Sequence, residues 1–190
     1  MFYLTFSHLF SALLLQLDGS MAGDVGFDPL GLSNIDEVGI DLYWLREAEL
    51  KHCRLAMTAV VGFLQVELFG PAPGNEPCTA KNQIDAFWQF WDLHPQYIAF
   101  SLIFIGLAEM ISGIATTTGR EAGEREPGDY SFDPLGFKKG DPAKYEKLKG
   151  NEVANGRLAM FAAMGEIVQG CTTDDGAIGN LVTALKDNSF

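Results

Sequence analysis

Glu49-Leu-Lys-His52-Cys-Arg54-Leu-Ala56-Met57 returns later as Glu152-Val-Ala-Asn155-Gly-Arg157-Leu-Ala159-Met160, and each copy opens a segment otherwise apolar enough to enter a membrane. A matching turn precedes each copy, Phe27-Asp28-Pro29-Leu30-Gly31 and Phe132-Asp133-Pro134-Leu135-Gly136. A glycine follows each at equal spacing, Gly62 and Gly165. Repetition over turn, approach and helix marks an internal duplication, so the fold is expected to use one unit twice.

Between the copies, Gln96 to Ala115 carries Glu109 as its single charge over about the length a spanning helix needs, roughly 20 residues. Leu55 to Gly70 and Leu158 to Gly170 are too short alone, and reach that length only if the Glu-x-x-(His/Asn)-x-Arg turns enter too. The expected fold is an all-α membrane protein of three transmembrane helices. The odd number of crossings runs the first and third in one direction, so they can cross about a pseudo-two-fold axis along the membrane normal.

Asp41 offers an N-cap for a first helix running through Trp44 to about Phe69, stopped by Pro71-Ala-Pro73-Gly74. Residues 75 to 95 read as a loop holding an interfacial aromatic cluster, Phe87, Trp88, Phe90 and Trp91. His94-Pro95 introduces the second helix, Gln96 to about Thr117, and Asp141-Pro142 starts a third that reaches Gly170 with Gly150 as its weak point. Ala177 to Lys186 is expected as a short amphipathic C-terminal helix at the surface. The organisation is an N-terminal segment (1–24), a three-helix domain (25–175) and a tail (176–190). Phe2 to Leu17, apolar and without a basic start, is expected to lie along the membrane face or against a neighbouring subunit.

The chain has 190 residues, with 13 Lys and Arg against 25 Asp and Glu for a net charge of −12. An acidic surface excludes nucleic acid as a partner, since phosphates need cations. Placing three crossings leaves Arg46, Lys51, Arg120, Arg125, Lys138, Lys139, Lys144, Lys147 and Lys149 on one side, with Lys81 and Lys186 opposite, and puts the N-terminus in the compartment of synthesis. Cys53, Cys78 and Cys171 follow no metal or disulfide spacing and read as small packing residues. No nucleophile-base constellation is visible, so no enzyme is expected.

Glu49, Arg54, Glu152 and Arg157 remain to be explained. Each charge at mid-helix costs about 2.5 to 3.5 kcal/mol, so four unpaired ones are prohibitive together. Within a copy, Glu and Arg point away from each other. Crossing the two helices solves this by facing Glu49 with Arg157 and Glu152 with Arg54. His52 and Asn155, three residues past each glutamate, lie near the same helix face, with Ala56 and Ala159 leaving room beside them. Carboxylate, imidazole and amide share the ability to give an electron pair to a metal centre. Three readings stay open: a helix-helix clamp in which His52 and Asn155 bond to backbone, half of a di-iron carboxylate site, or axial ligands for a large flat metal chelate. The di-iron site needs a second Glu-x-x-His, where this chain has Asn155.

These residues resemble the light-harvesting chlorophyll-binding protein family of chloroplasts, over about residues 25 to 175. The resemblance implies chlorophyll and xanthophyll carotenoids as cofactors, with Glu49, His52, Glu109, Glu152, Asn155 and Gln169 as axial ligands to chlorophyll magnesium. It implies Arg54 and Arg157 as the cross-helix partners, and Asp28 and Asp133 as caps for carotenoid head groups. The tally would be chlorophyll a, with chlorophyll c as a further candidate. The implied place is the plastid thylakoid membrane, with a stromal N-terminus. Partners would be a photosystem core, photosystem I favoured, with neighbouring antennas and thylakoid lipids. Trp44-Leu-Arg-Glu-Ala-Glu-Leu-Lys-His52 and the compact loops resemble the red-lineage type, as in red-algal and cryptophyte antennas of photosystem I. The implied function is antenna, with a photoprotective, energy-dissipating member of the same family as the alternative. Two positions depart from the pattern: Ser112 stands where green-plant members have arginine, and Ala184 where several carry a ligating histidine.

Overall fold

The structure is a computed structural model describing residues 17–34, 41–74, 78–123 and 125–187. The expectation for Phe2 to Leu17 falls almost wholly outside them. The described residues form five α-helices: α1 (Leu42–Phe69), α2 (Gln83–Leu93), α3 (Pro95–Ala122), α4 (Pro142–Thr173) and α5 (Ala177–Lys186). Two 3-10 turns, Leu32–Asn34 and Phe137–Lys139, follow the two Asp-Pro-Leu motifs.

The N-cap expected at Asp41 is made, its Oδ1 accepting from the Trp44 amide at 3.1 Å. At 28 residues, α1 and α3 are each about 42 Å long, more than the roughly 30 Å of a hydrocarbon layer. Their most apolar stretches are only 11 % and 6 % buried within the chain, which is how a helix facing lipid or pigment looks and a soluble core helix does not. At 32 residues α4 is also long enough, but Arg157, Glu166 and Gln169 leave even its second half less apolar than α1 or α3.

One correction concerns residues 75 to 95, expected as a loop. Residues 83–93 are helical. Asn82 caps this helix, accepting from the Asp85 amide at 2.7 Å and donating to the Asp85 carboxylate at 2.8 Å, a reciprocal cap that overrides the loop-like flanks. Helix α3 also runs five residues beyond the Thr117 end expected for it, with the Thr117 hydroxyl bonded back to the Ile114 carbonyl at 2.9 Å.

Two compact units divide the chain. The first joins residues up to Cys53 with Ile114–Gly156 and the second joins Arg54–Gly113 with Arg157 onward. In the first, Leu50, Cys53 and Val153 are buried, and α1 and α4 approach closely at Cys53 and Gly156. A Cβ at Gly156 would stand 2.3 Å from that of Cys53, so glycine is what allows the approach. Within the second, a cleft of about 950 Å³ is lined by Phe63, Val66, Phe87, Phe90, Ile178 and Val182, with the Lys81–Asp175 pair (3.3 Å) at its edge. Glu67 fixes the start of α5 by accepting from the Gly179 amide at 2.7 Å.

Candidate functional site

The two copies share one local geometry. His52 Nδ1 lies 2.7 Å from the Ala48 carbonyl, and Asn155 Nδ2 donates to the Asn151 carbonyl at 2.9 Å, each bond reaching back four residues. A carbonyl only accepts, so Nδ1 carries the hydrogen and the lone pair is on Nε2. In the same way, the Asn155 amide spends its donor on the helix and presents Oδ1. These are the backbone bonds that the clamp reading expected, but each uses one polar atom and turns an electron-pair donor outward. Both side chains are exposed.

The surroundings repeat as well. Leu55 and Leu158, three residues on, are each 68 % exposed, and Val61 and Met164, nine residues on, are each 65 % exposed. Leu55 and Leu158 stand on the donor's side of each helix, while Val61 and Met164 lie half a turn round, so the exposed surface is apolar on more than one side and water would penalise it. Exposed imidazole and amide donors above apolar helix faces fit the magnesium of a chlorin with an apolar tail. Among the described residues no three or more His, Cys, Asp or Glu are grouped as a metal cage would need, which leaves the di-iron reading without a site.

Glu49 is half-buried and its Oε2 accepts from Arg46 at 2.8 Å, a local counter-charge that the cross-helix argument did not foresee. The corresponding Lys149 in the second copy instead holds Glu126 at 2.6 Å and Glu146 at 2.8 Å. Glu109 and Gln169 are exposed on α3 and α4 of the second unit, and Ser112 turns its hydroxyl to the Glu109 backbone carbonyl at 3.0 Å.

The Asp-Pro-Leu turns match bond for bond. Asp28 accepts from the Leu32 amide at 3.0 Å and the Ser33 amide at 2.8 Å, while Asp133 accepts from Phe137 at 3.0 Å and Lys138 at 2.8 Å. Gly31 and Gly136 close the turns at φ 67° and 70°, where a side chain would be strained. The Asp28 carboxyl is held below its ordinary value, chiefly by Ser33, and Asp133 likewise, chiefly by the Lys138 amide. Phe27, Leu30, Phe132 and Leu135 beside them are at least three-quarters exposed.

Sequence reasoning missed a buried cluster in the first unit. Glu47, 2 % exposed, accepts from Arg125 at 3.0 Å, Thr116 at 3.2 Å, the Gly128 amide at 2.5 Å and the Tyr130 hydroxyl. The one available signal was an asymmetry of the repeat, since the position matching Glu47 is Gly150.

An all-α chain with two exposed, apolar helices of membrane-spanning length has the make-up of an intrinsic membrane protein. Residues 15–171 match the family described as Chlorophyll A-B binding protein. Chlorophyll a-b binding protein 7 of Solanum lycopersicum is 40 % identical over 90 % of this chain and 67 % of its own length. Chlorophyll a-b binding protein 1B-21 of Hordeum vulgare is 36 % identical over 90 % and 70 %. Photosystem I chlorophyll a/b-binding protein 3-1 of Arabidopsis thaliana is 32 % identical over 93 % and 74 %. The chain belongs to the chlorophyll a-b binding, light-harvesting antenna family, whose members are non-enzymatic proteins of the chloroplast thylakoid membrane.

Proposed function

We propose that this chain is an antenna protein that passes excitation to a photosystem, photosystem I in preference, and that Glu49, His52, Glu152 and Asn155, with Glu109 and Gln169, hold its chlorophylls through magnesium. Chlorophyll, when bound, supplies absorption and excitation transfer. The chain's own work is to hold and orient: the repeated bond to the carbonyl four residues back carries this reading, because it leaves one donor atom of each copy free on an exposed helix surface beside Leu55 or Leu158. Rigid helices then fix spacing, and apolar neighbours exclude water.

Three helices cross the membrane in this reading, α1, α3 and α4, with the N-terminus stromal, as the distribution of lysine and arginine supports. Helices α1 and α4 form the crossed pair in this reading, Glu49 serving Arg157 and Glu152 serving Arg54, with Arg46 as a second counter-charge for Glu49. Asp28 and Asp133 cap xanthophyll head groups. A red-lineage pigment set, chlorophyll a with chlorophyll c as a further candidate, rests on the Trp44–His52 stretch and the compact loops.

Pigment extraction from the purified chain tests this. Chlorophyll a is the expected result, joined by chlorophyll c if the red-lineage reading holds, with efficient transfer when the complex is bound to photosystem I. Chlorophyll b would overturn the red-lineage assignment, and a short excited-state lifetime in the isolated complex would favour dissipation over harvesting.

A further inference from the structure

The Glu47 cluster is buried, charged and unused by any ligand assignment above. Arg125, the principal cation on it, also donates through Nη1 to Thr116 at 3.0 Å and through Nε to the Asp129 carbonyl at 2.5 Å, and its guanidinium stands 4.4 Å from the centre of the Tyr130 ring. Burial works against the charge on Arg125, but Glu47 outweighs it and holds the guanidinium above its ordinary value. From there the bonds run on to the second turn. Asp129 pairs with Lys138 and accepts from the Ser131 amide at 2.9 Å, and the Lys138 amide donates to Asp133 at 2.8 Å. Gly128 lies against Leu50 of α1 so closely that a Cβ there would stand 2.4 Å from Leu50 Cδ1. The segment 125–131 is therefore tied to α1 by packing and by charge together. In the other copy, Gly150 has no side chain with which to do the same for the Asp28 turn.

We propose that Glu47 is a positioning residue for the second turn: by clamping residues 125–131 onto α1 through Arg125, Gly128 and Tyr130, it presets the surface that Asp133 offers to a carotenoid head group. The proposal rests on the head-group reading of Asp133. A clamp made of charge-assisted bonds to a buried carboxylate resists opening more than neutral bonds do. It acts on one turn of the two, which separates it from a general effect on folding.

The full-length pigmented chain is compared with Glu47→Gln, with the milder Tyr130→Phe, and with Asp133→Ala and Asp28→Ala. Two readouts are taken, amide exchange by peptide and the carotenoid-to-chlorophyll ratio. Glu47→Gln and Tyr130→Phe are expected to speed exchange at Gly128, Ser131 and Lys138 by about tenfold, as loss of a charge-assisted bond implies, and to leave Leu32 and Ser33 unchanged. The carotenoid lost should be the one lost in Asp133→Ala and retained in Asp28→Ala. Unchanged exchange at residues 128–138 overturns the clamp. Full carotenoid in Glu47→Gln beside a loss in Asp133→Ala overturns the positioning role alone. Full carotenoid in Asp133→Ala overturns the head-group reading and the proposal with it.

Discussion

At the scale of single residues, His52 and Asn155 make the same backbone bond with different chemistry. An imidazole and an amide both bond to the carbonyl four residues earlier and present a lone pair. Replacing either by leucine keeps the apolar face and removes the donor, so His52→Leu and Asn155→Leu are each expected to lose one chlorophyll per chain, counted by extraction against protein. Arg54→Leu should do more. It strands the charge of Glu152 in the reading above, a change of about 3 to 5 kcal/mol, so the yield of pigmented complex should collapse while Arg54→Lys retains part of it. These donors were legible in the sequence because the repeat displays them twice. Glu47 was not: its partners Thr116, Arg125 and Tyr130 lie 69 to 83 positions away, and no local pattern announces contacts of that range.

At the scale of elements, helix starts were legible wherever a single capping side chain sits before an apolar run, as at Asp41. Helix α2 escaped because its Trp and Phe residues read as an interfacial cluster, while the cap made by Asn82 and Asp85 lies outside that cluster. Helix α4 offers a test through two of its glycines. Nothing lies within 4 Å of a Cβ placed at Gly150, whereas one at Gly156 meets Cys53. Gly150→Ala is accordingly expected to stabilise by about 0.5 to 1 kcal/mol through helix propensity. Gly156→Ala should destabilise by roughly 1 to 3 kcal/mol through overpacking, and Cys53→Gly should restore part of that. Thermal loss of pigment absorption in detergent reads both. The Asp turns make a pH prediction. Their carboxyls titrate below the ordinary value when folded, so their stabilisation is complete above the usual carboxylate range, near 4, and is lost as pH falls through the lowered native values. Protection of the Leu32, Ser33, Phe137 and Lys138 amides should be level from about pH 5 to 8 and fall together in acid.

At the scale of the whole molecule, the described residues bury little of their own apolar surface: Phe100, Phe104 and Phe161 are 69 %, 73 % and 81 % exposed. Such a chain depends on what covers it. Since a ligand that binds only the folded form stabilises it by mass action, refolding with chlorophyll and carotenoid should raise the midpoint of thermal unfolding well above that of the pigment-free chain, and bleaching should coincide with loss of helix by circular dichroism. An unchanged midpoint would place stability in the helices alone. The turns have a different consequence. One Asp-Pro-Leu-Gly is followed by Leu and Ser, the other by Phe and Lys, and their hydrogen bonds nevertheless agree in length. The turn's own hydrogen bonds are thus set within the motif. It is a connector spelled alike in both halves, and how firmly each is fastened is left to residues such as Glu47 that stand outside it.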